Sequence, residues 1–121
     1  MQRKILVLED DGATRNIIAA VLEKAGYTVQ SCADGKEGIE SFRARQFDLV
    51  ITDISMPGIS GIEVIRLIRL ESPTVPIIAM SGTDRSESFL SMADYYTADL
   101  TVQKPFDAAQ IIAAVKKVLA A

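Results

Sequence analysis

Phe47-Asp48-Leu49-Val50-Ile51-Thr52-Asp53 is the stretch from which the fold can be read. It is apolar through its middle, rich in β-branched side chains, and closed by a carboxylate. A short apolar run of this kind suits a strand buried on both faces, as in a parallel sheet. Two other runs have the same form. Ile5-Leu6-Val7-Leu8 leads into Glu9-Asp10-Asp11, and Leu100-Thr101-Val102-Gln103 leads into Lys104-Pro105-Phe106. If the three are neighbouring strands of one parallel sheet, a carboxylate cluster and an ammonium meet at its carboxyl edge, where open α/β sheets place their ligands. A packed core does not require such a meeting. A hard cation and a phosphoryl group would explain it.

Strand and helix alternate through the rest of the chain. Lys4–Leu8 reads as a buried strand. Residues 14–25 follow as a helix with Ile17, Ile18, Val21 and Leu22 on one face, and Gly26 stands at the position of a helix C′ glycine. Residues 27–32 form a short strand. Asp34 with Glu37 three residues on is a capping-box pattern that opens a helix to about Ala44. Residues 47–53 are the most apolar strand and take the centre. Met56-Pro57-Gly58 is a turn, because proline fixes φ and glycine permits a positive one. Ile62, Val64, Ile65, Leu67 and Ile68 load the inner side of a helix ending near Leu70. Residues 75–80 are a fourth strand, with Pro76 tolerated near its start. A short helix is expected over residues 86–93 and a fifth strand over 99–103. Asp107, with Gln110 three residues later, caps a last helix that carries Ile111, Ile112, Val115, Val118 and Leu119. Such an alternation argues for a parallel sheet covered on both faces. No repeat, low-complexity segment or linker interrupts it. The expectation is one domain over residues 1–121 with no output domain after the last helix.

Composition sets the limits. A chain of 121 residues has room for one domain with its own core. The hydrophobic fraction is 49% and the aromatic fraction 6%, so the core is aliphatic. Net charge is −3 and the isoelectric point about 4.9, with no basic block, which argues against direct nucleic-acid binding. No apolar run approaches the ~20 residues of a membrane span, and Met1-Gln2-Arg3-Lys4 leads into a strand rather than a signal-peptide core. Cys32 is alone, which fits a reducing cytoplasm. The chain has no histidine. That excludes His-ligated metals, His acid–base catalysis and a phosphohistidine carried on this chain.

Each charged strand end admits two readings. Glu9 and Asp10 repel one another, a conflict that a divalent cation removes; all-oxygen ligands in this number suit Mg²⁺. They also read as solvated acids before a helix, where negative charge is favoured, and Asp11 is expected to be such a cap. Asp53 can attack an activated phosphorus to form an acyl phosphate, or it can open an Asx-turn into the 55–61 loop. Lys104 reaches over the crevice to a phosphoryl oxygen or lies on the surface, with Pro105 fixing its loop, a cis bond being one way to do so. Ser81 and the Gly82 N–H are donors to a phosphoryl oxygen, or ordinary turn residues. Their occurrence in order, each at a strand end, gives the set its weight.

Over essentially its whole length the chain resembles the receiver domains of two-component response regulators, in the manner of a single-domain chemotaxis regulator. The matching stretches are Ile5-Leu6-Val7-Leu8-Glu9-Asp10-Asp11, Asp48-Leu49-Val50-Ile51-Thr52-Asp53-Ile54-Ser55-Met56-Pro57-Gly58-Ile59-Ser60-Gly61, Pro76-Ile77-Ile78-Ala79-Met80-Ser81-Gly82, and Lys104-Pro105-Phe106. The resemblance implies a three-layer, flavodoxin-like (βα)5 fold with sheet order 2-1-3-4-5. It implies that Asp53 is the phosphoacceptor. Glu9, Asp10, Asp53 and the Ser55 main-chain carbonyl would hold Mg²⁺, or Mn²⁺ in its place. Ile54, Ser55 and Gly82 would be phosphoryl-binding positions, and Lys104 would neutralise the transferring group. Ser81 would sense it. The donor would be a histidine kinase or histidine phosphotransfer protein. The chain would be no conventional enzyme, but would catalyse its own phosphorylation and dephosphorylation. Phosphorylation would shift a pre-existing equilibrium at a readout face of residues 86–93, 99–103 and 107–120. That face would control a downstream protein or a missing output domain, in a monomer or a phosphorylation-dependent homodimer. The expected location is the cytoplasm.

The chain also departs from the family pattern. Thr101 stands where the family usually has Tyr or Phe as a rotamer switch, and Thr97 where it usually has glycine. One extra residue lies between Ser81 and Lys104. Tyr95 and Tyr96 are candidates for a displaced aromatic switch. Glu9 replaces the commoner Asp and is expected to keep metal binding, while Ser55 and Thr83 are expected to tune access of the water that attacks the acyl phosphate. Three rivals fit less well. A haloacid-dehalogenase-like phosphatase needs a second Asp two residues after the first, where this chain has Ser55. An FMN carrier needs a Ser/Thr/Gly-rich loop after the first strand, where Glu9-Asp10-Asp11 would repel the phosphate. A degenerate receiver that binds partners without phosphorylation would not need the full set of site residues, but the altered switch at Thr101 keeps that alternative open.

Overall fold

The structure is a computed structural model and describes residues 2–82 and 98–120. The helix expected over 86–93, and Thr83, Tyr95, Tyr96 and Thr97, lie outside the described residues. Five parallel strands form one sheet: β1 (Lys4–Leu8), β2 (Thr28–Cys32), β3 (Leu49–Asp53), β4 (Ile77–Ser81) and β5 (Leu100–Gln103), in the order β2-β1-β3-β4-β5. The helices are α1 (Gly12–Lys24), α2 (Gly35–Ala44), α3 (Gly61–Glu71) and a C-terminal helix (Ala108–Ala120).

Successive side chains of a strand point to opposite faces, and here both faces are covered. Every residue of β3 and of β4 is buried. Leu6, Leu8, Val50 and Ile77 pack with Ile39 of α2 and Ile62, Ile65 and Ile68 of α3. Ile5, Val7, Ile51 and Ile78 pack with Ile18 and Leu22 of α1 and with Ile111 and Val115 of the C-terminal helix. The three central strands thus read as unbroken apolar runs because neither side meets water.

Three helix starts obey local chemistry written in the sequence. Asp34 accepts the Glu37 N–H at 2.8 Å. Asp107 and Gln110 exchange side-chain-to-backbone bonds, both 2.8 Å, a closed capping box. Asp11 caps α1 by accepting from the Thr14 N–H at 2.9 Å and its hydroxyl at 2.6 Å, so α1 begins at Gly12, two residues before the expected start. Its other end closes on Gly26 at φ +102°, a value that favours glycine.

The remaining shifts in boundary have side-chain causes. β4 starts at Ile77 rather than at residue 75 and extends through Ser81. Pro76 has no N–H to donate, and the Val75 carbonyl is taken by the Arg69 guanidinium. β5 starts one residue late because the Asp99 carboxylate accepts the Ile77 N–H at 2.7 Å and the Arg69 guanidinium at 2.7 Å. β3 starts at Leu49 because Asp48 turns its carboxylate to the Lys4 N–H, at 2.7 Å. Among the described residues no helix is long and apolar enough to cross a membrane.

Arg69, Asp99 and Ile77 therefore staple the end of α3 to the starts of β4 and β5. Asp99→Ala removes an acceptor shared by a charge and a backbone N–H. The expected loss is about 1–3 kcal/mol, read as a lower midpoint in urea. Asp99→Asn, which keeps an acceptor, is expected to lose less, and an unchanged midpoint in Asp99→Ala would show the staple to be dispensable.

Candidate functional site

Strand register alone brings the chemistry together. Leu8 pairs with Thr52, so Glu9 follows one strand where Asp53 ends its neighbour. Asp53 pairs with Met80, which sets Ser81 one step beyond it. Ser81 pairs with Gln103, and the Lys104 N–H donates to the Ser81 carbonyl at 2.7 Å. The charged ends of β1, β3 and β5 thus meet at one edge as expected, although β4 lies between β3 and β5 and the three are not all neighbours. The Lys104–Pro105 bond is cis.

Gly61 closes the floor of the site. A Cβ there would lie 1.8 Å from the Asp53 carbonyl oxygen and 2.5 Å from the Ile54 Cα, both backbone atoms that cannot yield. Only glycine lets the start of α3 press against the end of β3. The 54–60 loop is thereby folded back on itself, with the Gly61 N–H donating to the Ile54 carbonyl at 3.2 Å.

Glu9 is fully buried, Asp53 nearly so, and Asp10 is exposed. One oxygen from each lies within 4.8 Å of the others. Lys104 Nζ donates to Asp53 Oδ2 at 2.7 Å and to Glu9 Oε1. The other Asp53 oxygen, Oδ1, accepts the Ser55 N–H at 3.0 Å, so the Asx-turn is real and serves to orient the carboxylate. Glu9 Oε2 accepts the Asp11 N–H at 3.3 Å. With all three acids ionised, three negative charges face the one ammonium and two remain uncompensated.

The electrostatics follow. Burial is the main reason the Glu9 carboxyl is pushed up to about 7; the charge of Asp53 adds to the rise and the Lys104 hydrogen bond opposes it. Burial pulls the Lys104 ammonium down, but its bonds to Asp53 and Glu9 outweigh this and hold it above its ordinary value. Asp11 is held low by its bonds from Thr14, as befits a cap outside the site.

The donor set fits a hard divalent cation. Oxygens around Mg²⁺ at ~2.1 Å lie ~3.0 to ~4.2 Å apart in an octahedron, and the three carboxylate oxygens already lie within 4.8 Å of one another. All are oxygens, and the uncompensated charge has the sign and size a divalent ion cancels.

The other expected residues lie nearby but are less engaged. Ser81 is fully buried and its hydroxyl donates to the Gly82 carbonyl at 3.4 Å, a long bond. Ile54 is buried, while Ser55 and Gly82 are exposed. Thr101 pairs with Ala79, two residues before the site edge, and is half-buried. Beside Lys104 opens a groove of about 390 Å³ lined by Thr14, Ile17, Ile18, Gly82, Pro105 and Phe106. Ile17 is 63% exposed there. One participant escaped sequence reading: Arg15, whose guanidinium donates to the Glu9 carbonyl at 2.9 Å. Its only signal was a basic residue one turn into the helix that follows the acidic run.

Comparison with known proteins agrees. A family profile described as the response regulator receiver domain matches residues 5–116. The transcriptional regulatory protein CseB of Streptomyces coelicolor is 39% identical over 98% of this chain and 50% of its own length. The response regulator ArlR of Staphylococcus epidermidis is 36% identical over 95% of this chain and 52% of its own. The chain thus spans about half the length of the curated relatives it matches. Among solved structures, the chemotaxis protein CheY4 of Vibrio cholerae superposes with a TM-score of 0.92 at 27% identity, covering 98% of this chain and 100% of that one. The response regulator TrrA of Thermotoga maritima, solved in complex with Mg(2+)-BeF, gives 0.88 at 33% identity, covering 98% and 100%.

The raised Glu9 makes stability depend on pH. The folded state keeps a proton on Glu9 up to about pH 7, whereas an unfolded glutamate, with its ordinary value of 4.5, releases it. The folded state binds more protons across that window, so stability is full below it and falls as pH rises through it, by on the order of 3 kcal/mol. Glu9→Gln cannot ionise, and without divalent metal its urea midpoint is expected to vary less between pH 5 and pH 8 (chosen to bracket the window) than that of the wild type. Parallel curves for the two proteins would count against a raised Glu9.

Proposed function

The chain belongs to the response regulator receiver domain family, and on that premise we propose that it is a phosphoacceptor switch of two-component signalling, with Asp53 taking a phosphoryl group in a Mg²⁺-dependent reaction. One observation carries the reading: a buried Asp53 carboxylate is held between an ammonium and two further acids, with one oxygen on Lys104 and the other on the Ser55 N–H. A packed fold has no use for that arrangement.

Glu9, Asp10, Asp53 and the Ser55 main-chain carbonyl would hold the ion. When bound, Mg²⁺ would neutralise charge on the phosphoryl oxygens. The chain's own residues do the rest. An Asp53 oxygen attacks the phosphorus of a phosphohistidine, the P–O bond forms, and the P–N bond breaks with its electron pair leaving on the imidazole. Lys104, already on Asp53, follows charge onto the transferred group. The Ser55 N–H, now on Asp53 Oδ1 at 3.0 Å, and the Gly82 N–H are the proposed main-chain donors to that group, while the Ile54 N–H is held by the Met80 carbonyl at 3.0 Å. The long Ser81–Gly82 bond is cheap to exchange for one to a phosphoryl oxygen, which would draw the β4 loop inward.

Membership of the receiver family points to a histidine kinase or a histidine phosphotransfer protein as the donor, in keeping with a sequence that has no histidine. It would approach by the groove beside Lys104, where exposed Ile17 offers an apolar seat. Output runs through β5 and the C-terminal helix, to a separate target or to an output domain such as the added length of the relatives allows. Thr101 cannot bury a ring, and Tyr95 and Tyr96 are proposed to take over that part of the switch.

Intact mass after incubation with Mg²⁺ and acetyl phosphate tests the reading. The wild type is expected to gain one phosphoryl group, and to gain none without Mg²⁺ or as Asp53→Asn. No adduct, together with no binding of beryllofluoride, would leave a phosphorylation-independent interaction module instead. A second result follows from Glu9. Binding of Mg²⁺ requires its proton to leave, so affinity is expected to climb as pH rises through about 7, and calorimetry in buffers of differing ionisation heat would register the released proton. A third concerns the groove: Ile17→Glu is expected to slow transfer from a protein donor at least tenfold, while leaving acetyl phosphate within twofold, an order-of-magnitude expectation for losing an apolar contact at an interface.

A further inference from the structure

Arg15 sits in the first turn of α1 with its backbone N–H on the Asp11 carbonyl at 2.8 Å. Its side chain folds back toward the sheet, across Gly12, where an added Cβ would meet Nη2 at 3.6 Å. Nη1 donates to the Glu9 carbonyl at 2.9 Å and lies 3.5 Å from the Asp10 carbonyl. Glu9, Asp10 and Asp11 all stand close by, yet among the described residues no carboxylate accepts a hydrogen bond from this guanidinium. It is spent on main-chain carbonyls. A residue serving only to balance charge would take a carboxylate, the stronger partner.

Those two carbonyls occupy a particular place. The β1–β3 ladder ends at Leu8, so the chain carrying Glu9 and Asp10 has left the sheet on that side. The Glu9 N–H is still held by the Cys32 carbonyl at 3.1 Å, while its carbonyl turns to Arg15. Arg15 thus sets the peptide plane between the two acids, and with it the direction in which both carboxylates leave the backbone.

We propose that Arg15 is a positioning residue for the divalent-cation site, orienting the Glu9-Asp10 backbone so that both carboxylates converge with Asp53. The inference rests on the functional reading above, through the cation, and it makes a prediction about sign. Through charge alone, removing a cation beside the acids strengthens Mg²⁺ binding. Through position, removing Arg15 weakens it, because the backbone holding two ligands loses its brace; changes to groups that orient metal ligands typically cost 10–100-fold in affinity.

Isothermal titration of wild type, Arg15→Ala and Arg15→Lys with MgCl₂ separates the two. The expected result is a Kd about tenfold higher for Arg15→Ala and within about threefold of wild type for Arg15→Lys, which keeps a donor. The Mg²⁺ concentration for half-maximal phosphorylation by acetyl phosphate is expected to rise by about the same tenfold for Arg15→Ala and by less for Arg15→Lys. A folded Arg15→Ala that binds Mg²⁺ as tightly as wild type, or more tightly, overturns the proposal. If Arg15→Ala does not fold, Arg15→Gln replaces it: weaker binding than Arg15→Lys supports a positioning role, and tighter binding overturns it. A wild type that binds Mg²⁺ but takes no phosphoryl group defeats the phosphoacceptor reading and leaves this comparison standing. A wild type that binds no Mg²⁺ at millimolar concentration defeats both.

Discussion

A single ammonium lying between two buried carboxylates governs this end of the molecule. Taking an ion out of water costs several kcal/mol even after relaxation, and the cost is offset only by close pairing and further hydrogen bonds. Glu9 and Asp53 both depend on Lys104 for that pairing. One positive charge cannot satisfy them and Asp10 as well. The residual negative charge is therefore built in, and the site is electrostatically incomplete by itself. An enclosure that is unfavourable without a cation, and better satisfied with one, suits the metal-dependent reaction proposed for it.

Assembly of the centre is a consequence of topology more than of any local device. Parallel strands all send their carboxyl ends the same way, so Glu9, Asp53, Ser81 and Lys104 reach one edge although more than ninety positions separate the first from the last. What remains for local chemistry is fine placement. Gly61 lets α3 press against β3, Ser55 fixes one oxygen of Asp53, and Asp11 opens α1 where the guanidinium of Arg15 can turn back.

Much of this was legible in the residues, and the parts that were not share a cause. The apolar run 47–53 and its two counterparts marked the strands because burial on both faces leaves an uninterrupted signature. The capping pairs Asp34–Glu37 and Asp107–Gln110 marked helix starts because each is a reaction between near neighbours. The acids and the lysine stood out because charge at a strand end has few structural uses. The boundary at Leu100 and the brace at Arg15 did not stand out. Each depends on a side chain meeting a backbone group that no spacing rule brings near: Asp99 on Ile77, and Arg15 on the carbonyl of Glu9. Gly61 lay within the matching stretch, but its reason, a carbonyl where a Cβ would be, is visible only in three dimensions.

The Arg69–Asp99–Ile77 staple has a mechanical consequence. It pins the amino ends of β4 and β5 to α3, while the carboxyl ends of the same strands carry Ser81 and Lys104, joined by one backbone bond. A pair of strands fixed at one end and tied together at the other behaves as a lever with its fulcrum at Asp99. A pull on Ser81 cannot be absorbed by sliding at the pinned end. β5, paired along its length with β4 and lying at the margin of the sheet, is where such a pull would pass outward.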